Sequence, residues 1–207
     1  MKRLAILSIL GLLSANALAE TEAKAFSGFY FGGEISSTKQ EFSIPYSELR
    51  VSNLSGNFTA NGSRAARLGI VTGYGFDYGA DFVGLAEAKI AISNAKTKNA
   101  LGEVTKEKFA TSLAYLQGYR IENKLLPYVK VSFDASSFDV NNDAIYPKNG
   151  VEVANEGAWG IGFGAGLRYS VTPGFNLGVE YHKVTLKGQN GIKIKTNNLG
   201  LIGTYRF

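Results

Sequence analysis

From Ala158 to Val171 the chain alternates without a break between two kinds of side chain. Trp159, Ile161, Phe163, Ala165, Leu167, Tyr169 and Val171 fall on one face; Ala158, Gly160, Gly162, Gly164, Gly166, Arg168 and Ser170 fall on the other. A period of two is that of a β-strand. A soluble strand would turn its apolar face inward, and glycine would be a poor choice for the outward one. The pattern suits the inverse arrangement, in which lipid takes the large apolar side chains. The glycines then line a narrow interior and leave room for long side chains from neighbouring strands.

Seven more stretches read the same way: 28–38, 65–76, 82–93, 109–121, 125–135, 175–181 and 198–207. Their lipid faces carry such series as Leu68, Ile70, Tyr74, Phe76 and Phe175, Leu177, Val179, Tyr181. The opposite faces, with the 158–171 strand, collect Glu34, Arg67, Glu87, Lys89, Arg120, Lys130, Arg168, Glu180, His182 and Arg206. An Arg or Lys at the lipid-facing midplane costs about 2–4 kcal/mol, and the apolar series contain neither. Thr72, Thr111 and Gln117 are the polar exceptions.

Hydrocarbon offers no partner to backbone N–H and C=O groups, so an open sheet edge is excluded and the last strand must pair with the first. The expected fold is all-β: an eight-stranded antiparallel up-and-down transmembrane β-barrel, closed, with long extracellular loops and short periplasmic turns. The short connections are 77–81, 122–124 and 172–174. The long ones are 39–62, 94–108 and 136–157. A fourth outer connection is tighter, because Asn190-Gly191 is a strong hairpin turn signal, and Asn149-Gly150 suggests a small hairpin within the third loop.

The chain opens with an export signal: Lys2 and Arg3, the apolar run 4–13, and the small-x-small site Ala17-Leu18-Ala19. Residues 1–19 are therefore expected to be a cleaved signal peptide and 20–207 an outer-membrane barrel domain. The run is too short to span a bilayer, and no later stretch approaches the roughly 20 apolar residues of a membrane helix. Losing Lys2 and Arg3 lowers the formal charge from +5 to +3, too weak an excess to argue for nucleic acid. With no cysteine, neither a disulfide nor a lipidated N-terminal Cys is available.

Leu199, Leu201, Gly203, Tyr205 and the terminal Phe207 resemble the C-terminal signature of outer-membrane barrels. Together with the export signal and eight strands, they make the mature chain similar to the eight-stranded outer-membrane β-barrel superfamily, of the opacity type and outer-membrane-protein-A type. That resemblance implies residence in the bacterial outer membrane, with Leu199, Leu201, Tyr205 and Phe207 read by the barrel assembly machinery. Members include adhesins and serum-resistance proteins. The implied function is a non-enzymatic, monomeric surface protein whose barrel presents loops for adhesion, host-factor binding or envelope integrity. Its partners would be outer-membrane lipid, lipopolysaccharide and host surface or serum proteins, and no cofactor or metal is expected. A narrow porin-like channel and a lipid-A-modifying enzyme are the alternatives.

The inward charges can line a conduction path or form a network that fills the bore, which in eight strands is only just wide enough for side chains. His182, the one histidine, faces inward by parity beside Glu180. An enzyme acting on acyl chains needs its base within reach of the lipid. The alternate glycines 160–166 lie within one strand and are no nucleotide loop. Lys96, Lys98, Lys106 and Lys108, with Lys187, Lys193 and Lys195, offer cations to lipopolysaccharide phosphates or to solvent. Finally, the first loop is unusually apolar, with Phe42, Ile44, Tyr46, Leu49, Val51, Leu54 and Phe58. Either the first two strands protrude as a sheet whose apolar face, at Phe42, Ile44, Tyr46 and Phe58, captures host protein, or these residues settle on the other loops.

Overall fold

The computed structural model describes residues 25–50, 53–145, 153 and 156–207. The expected signal at 1–19, Val51, and the hairpin at Asn149-Gly150 lie outside the described residues. The strands are β1 (Gly28–Pro45), β2 (Asn57–Gly62), β3 (Ala65–Gly79), β4 (Phe82–Ser93), β5 (Lys96–Asn99), β6 (Gly102–Tyr119), β7 (Leu125–Val140), β8 (Glu156–Thr172), β9 (Phe175–Lys187) and β10 (Lys193–Arg206).

Eight of them close a ring. β1, β3, β4, β6, β7, β8, β9 and β10 pair antiparallel in that order, and β10 returns to β1 from Tyr30 opposite Arg206 to Ser43 opposite Lys193. Closure removes the free edges that lipid could not satisfy. Phe207 completes the seam, its N–H donating to the Phe29 carbonyl at 3.1 Å.

β2 and β5 are upward continuations of β3 and β4, broken off at Ser63-Arg64 and Asn94-Ala95. β2 pairs with β1 from Glu41 opposite Asn61 to Pro45 opposite Asn57; it meets β5 at Asn61–Lys98, and β5 pairs with β6. The wall therefore remains eight strands around above the height where β3 and β4 stop. The expected long connections are shorter than the sequence suggests, because β1 runs on to Pro45, β7 to Val140 and β9 to Lys187, while β6 starts at Gly102 and β10 at Lys193. The 82–93 strand matches its expected bounds. Gln189–Ile192 is the expected tight turn: Asn190 and Gly191 both have positive φ, of 50° and 67°, which favours Asn-Gly.

The extra length has one cause. Alternation continues up each wall strand, but its polarity inverts at a common height. On β9, Leu177, Val179 and Tyr181 point out and Glu180 and His182 in; two residues further, Lys183 and Thr185 point out and Val184 and Leu186 in. β1 passes from Ile35 out and Ser36 in to Glu41 out and Phe42 in, and β10 from Leu199 out and Asn198 in to Lys195 out and Ile194 in. Below this level the barrel is inside-out; above it the wall has the polarity of a soluble protein. The lower outward face is a band of exposed apolar side chains, with Phe163 66 % and Leu113 65 % exposed. Aromatic pairs edge it, Phe133 with Trp159 at 5.8 Å towards the long loops and Phe82 with Tyr119 at 5.3 Å towards the short turns.

Candidate functional site

Any function passing through the barrel must use its lumen, which is built in layers. At the short-turn end Phe26, Tyr30, Val71, Val83, Leu85, Leu116, Leu126 and Tyr128 form an apolar floor. Ala25 and Phe26 fold into the mouth: the Ala25 N–H donates to Asn123 Oδ1 at 2.8 Å, and Arg120 Nη1 donates to the Ala25 carbonyl at 3.2 Å.

Above the floor lies a buried ion network. Glu34 pairs with Lys89, Lys89 reaches Glu180 at 3.4 Å, and Lys130 donates to Glu180 at 2.8 Å and lies 3.7 Å from Glu87, which is ion-paired to Arg168. Three carboxylates thus meet three cations, so the layer is formally neutral. Tyr30 and Tyr128 donate their hydroxyls to Glu87 at 3.0 Å and Glu180 at 2.9 Å. Their rings flank the Arg168 guanidinium at 5.3 and 5.4 Å, an arrangement that favours the cation. Glycine makes the room: a Cβ at Gly73 would stand 2.5 Å from the Tyr30 ring, and one at Gly162 would overlap His182, Ser132 and Asp134.

Those last three form the next layer. Ser132 donates to Asp134 Oδ2 at 2.6 Å and meets His182 Nε2 at 2.7 Å, with His182 and Asp134 3.7 Å apart. Arg67 donates to Glu107 at 2.5 Å. Between these groups and Glu34, Lys89 and Glu180 is a cavity of about 20 Å³, room for a water molecule. A belt of buried Ser36, Thr38, Gln40, Thr196 and Asn198 follows. Then an apolar cap closes the top: Phe42, Ile44, Leu49, Phe58, Val104, Phe138, Val184, Leu186, Ile192 and Ile194.

Eight of the ten expected interior charges therefore meet here: Glu34, Arg67, Glu87, Lys89, Lys130, Arg168, Glu180 and His182. Arg120 and Arg206 do not. Arg120, just past the end of β6, and Arg206, the last residue of β10, reach the rim instead: Arg120 pairs with Asp77 at 2.9 Å and Asp81 at 3.4 Å, and Arg206 donates to the Ser27 carbonyl at 3.2 Å and to the Pro173 carbonyl. Glu107 is the member that parity missed. A bulge between Glu107 and Phe109 adds a residue, so Glu107 turns inward where simple alternation from Phe109 would send it out.

The expected binding residues of the first loop are corrected. The sheet does protrude, but Phe42 and Ile44 are fully buried, Phe58 nearly so, and Tyr46 is half-buried against the same cluster. They fill the cap because the inverted polarity turns them inward. Among the described residues, the large apolar side chains exposed on top are Leu54 and Leu101. Leu199, Leu201, Tyr205 and Phe207 do face outward, 54–61 % exposed, with the Phe207 ring 5.3 Å from Tyr205 and 6.1 Å from Phe29.

A family model described as the outer membrane protein beta-barrel domain matches residues 5–207. The chain belongs to that family. Its place is the bacterial outer membrane, with the short turns periplasmic and the capped end extracellular. Solved members of the same fold include Neisserial surface protein A, at 18 % identity and a TM-score of 0.56, covering 87 % of this chain and 98 % of that one. The outer membrane protein AlkL in lipid bilayers gives 16 % and 0.53, covering 93 % and 96 %. OprG from Pseudomonas aeruginosa gives 15 % and 0.50, covering 91 % and 100 %. At these identities the likeness is one of fold. No curated protein matches the sequence.

Proposed function

We propose that this family member is a non-conducting, non-enzymatic surface protein, a filled barrel that holds a rigid extracellular β-crown above the membrane for adhesion, host-factor binding or envelope integrity. The observation that carries this reading is the closure of the lumen by dissimilar layers. An ion crossing it would have to leave water at an apolar floor, break a neutral network of paired charges, and pass a second apolar layer under Phe42 and Ile44. Each apolar layer offers no replacement for its hydration, and burying an unpaired charge is costly. The cavity between them has room for about one water.

The Ser132, His182 and Asp134 cluster does not have the arrangement of a nucleophile and its base. In an acyl-transfer triad the carboxylate takes the imidazole N–H on the side away from the serine. Here imidazole and carboxylate converge on the same Ser132 hydroxyl, beneath the cap. Such a cluster satisfies three buried polar groups, and no substrate carbonyl has room beside it.

A crown rigid through its own core suits recognition by surface shape. Among the described residues its exposed large apolar groups are Leu54 and Leu101, not the capped Phe42, Ile44 and Phe58. The test is binding of epithelial cells and serum proteins to bacteria carrying Leu54→Asp with Leu101→Asp. Loss of binding at unchanged surface level supports the recognition role, and unchanged binding leaves envelope integrity as the role.

A further inference from the structure

The lysines of the crown form two groups on opposite walls, and the acids beside them are not shared evenly. On the outward faces of β1, β9 and β10, immediately above the apolar band, stand Lys39, Lys183, Lys187, Lys193 and Lys195, all exposed. They are neighbours across the strands: Lys39 and Lys183 both pair with Asn197, Lys193 faces Lys187, and Lys195 faces Thr185. Glu41, bound to Lys195 at 3.0 Å, is the one acid in their register. Lys39, Lys183, Lys187 and Lys193 have no ion pair among the described residues. On the opposite wall Lys96 likewise faces Lys106, but acids stand among them: Lys96 is held by Glu103 at 2.6 Å, Lys108 by Asp139 at 2.7 Å, and Lys106 is the cross-strand partner of Asp139.

Like charges set directly opposite on a sheet are destabilising, so the Lys187–Lys193 pair makes sense with an anion between them. The height of the patch tells which one. Directly beneath it Tyr181, Leu199 and Ile35 are 50–54 % exposed on the lipid face, and Trp159, an amphipathic ring suited to the interface, is the cross-strand partner of Lys187. From Lys183 to Lys187 is roughly 14 Å along the strand at about 3.4 Å per residue, or roughly 10 Å of height at a barrel tilt near 40°. A bilayer's polar layer is only about 5–8 Å deep on each side, so lysines spread over this height are not served by a single phosphate. A headgroup with several phosphates on a sugar body spans it. Lysine serves phosphate as a point charge without needing a fixed fork.

We propose that this wall is a docking site for the phosphorylated glycolipid of the outer leaflet, with Lys39, Lys183, Lys187 and Lys193 meeting its phosphates while the acyl chains lie on the apolar band below. The site faces sideways into the leaflet, so it orients the barrel among its lipids independently of what the crown recognises.

The test uses the full mature chain refolded into phosphatidylcholine nanodiscs doped with bis-phosphorylated lipid A or with its dephosphorylated form. Lipid co-purifying with the protein after detergent extraction is counted by mass spectrometry. Wild type should retain the phosphorylated form at least about tenfold over the other, an advantage lost at high salt. K39Q/K183Q/K187Q/K193Q should abolish that preference, whereas K96Q/K98Q/K106Q/K108Q on the opposite wall should keep it. All these side chains reach solvent or the rim, and heat-modifiable gel mobility verifies folding of each variant. Equal retention by wild type and the first variant would overturn the site, as would indifference to the phosphates or an equal loss in the second variant. A soluble sulfated glycan that binds only wild type, with glycolipid retention unchanged between variants, would reassign the patch to soluble polyanions and overturn the lipid.

Discussion

Glu87 on β4 and Arg168 on β8 are joined by an ion pair across the lumen, three strands apart around the ring. Each is almost wholly buried, and Arg168 sits between the rings of Tyr30 and Tyr128. Removing one partner strands the other in a medium that cannot solvate it.

Arg168→Met is therefore expected to destabilise the refolded barrel by about 3–5 kcal/mol, and Glu87→Gln by a similar amount. The double variant should recover much of the loss, because it leaves no lone charge. Urea unfolding in lipid vesicles measures all three. Additive losses in the double variant would show that the two residues do not act as a pair.

Two glycines of β8 predict a contrast within one strand. Gly162→Ala places a methyl against His182, Ser132 and Asp134, whereas a methyl at Gly157 meets nothing within 4 Å. The first change should cost about 1–3 kcal/mol as overpacking and lower the temperature at which the folded gel band disappears. Gly157→Ala should leave that temperature within a degree or two of wild type, since it adds no clash.

Phe42→Ala tests the cap. It removes a fully buried ring from the crown's core, worth about 3–5 kcal/mol, yet it lies above the apolar band. Proteolysis of the extracellular segments on intact cells should accelerate strongly while the membrane-embedded fragment stays protected. Cleavage at wild-type rates would place the crown's stability elsewhere.

How far the sequence can be read follows from this inversion. Within the lipid a single rule, apolar out and polar in, makes 82–93 and 158–171 readable residue by residue. Above the band the same alternation carries the opposite meaning, so whether Phe42 and Ile44 face out or pack inward stays open in the sequence although they are core. Glu107 was hidden by a one-residue bulge at Lys108, which no local pattern marks. Arg120 and Arg206 had the right parity, but their contacts depend on how close each lies to a turn, which alternation does not encode. Conversely, the Asn190-Gly191 turn carries its whole cause in two residues and was legible outright.

Deletion of Phe207 separates assembly from stability. The residue lies outward, its N–H bonded to the Phe29 carbonyl and its ring edge-on to Tyr205, so its loss should modestly weaken the seam in purified protein but sharply lower surface levels in cells, with aggregates in the periplasm. Surface immunolabelling beside in-vitro refolding distinguishes the two effects. Normal surface levels would remove Phe207 as an assembly handle.

The central claim is that the lumen is filled and closed. Planar-bilayer recording of the pure refolded protein tests it most directly. The layered interior predicts a silent bilayer, with no reproducible current steps under an applied voltage. Reproducible open steps of nanosiemens size would contradict it and make the paired charges the lining of a channel.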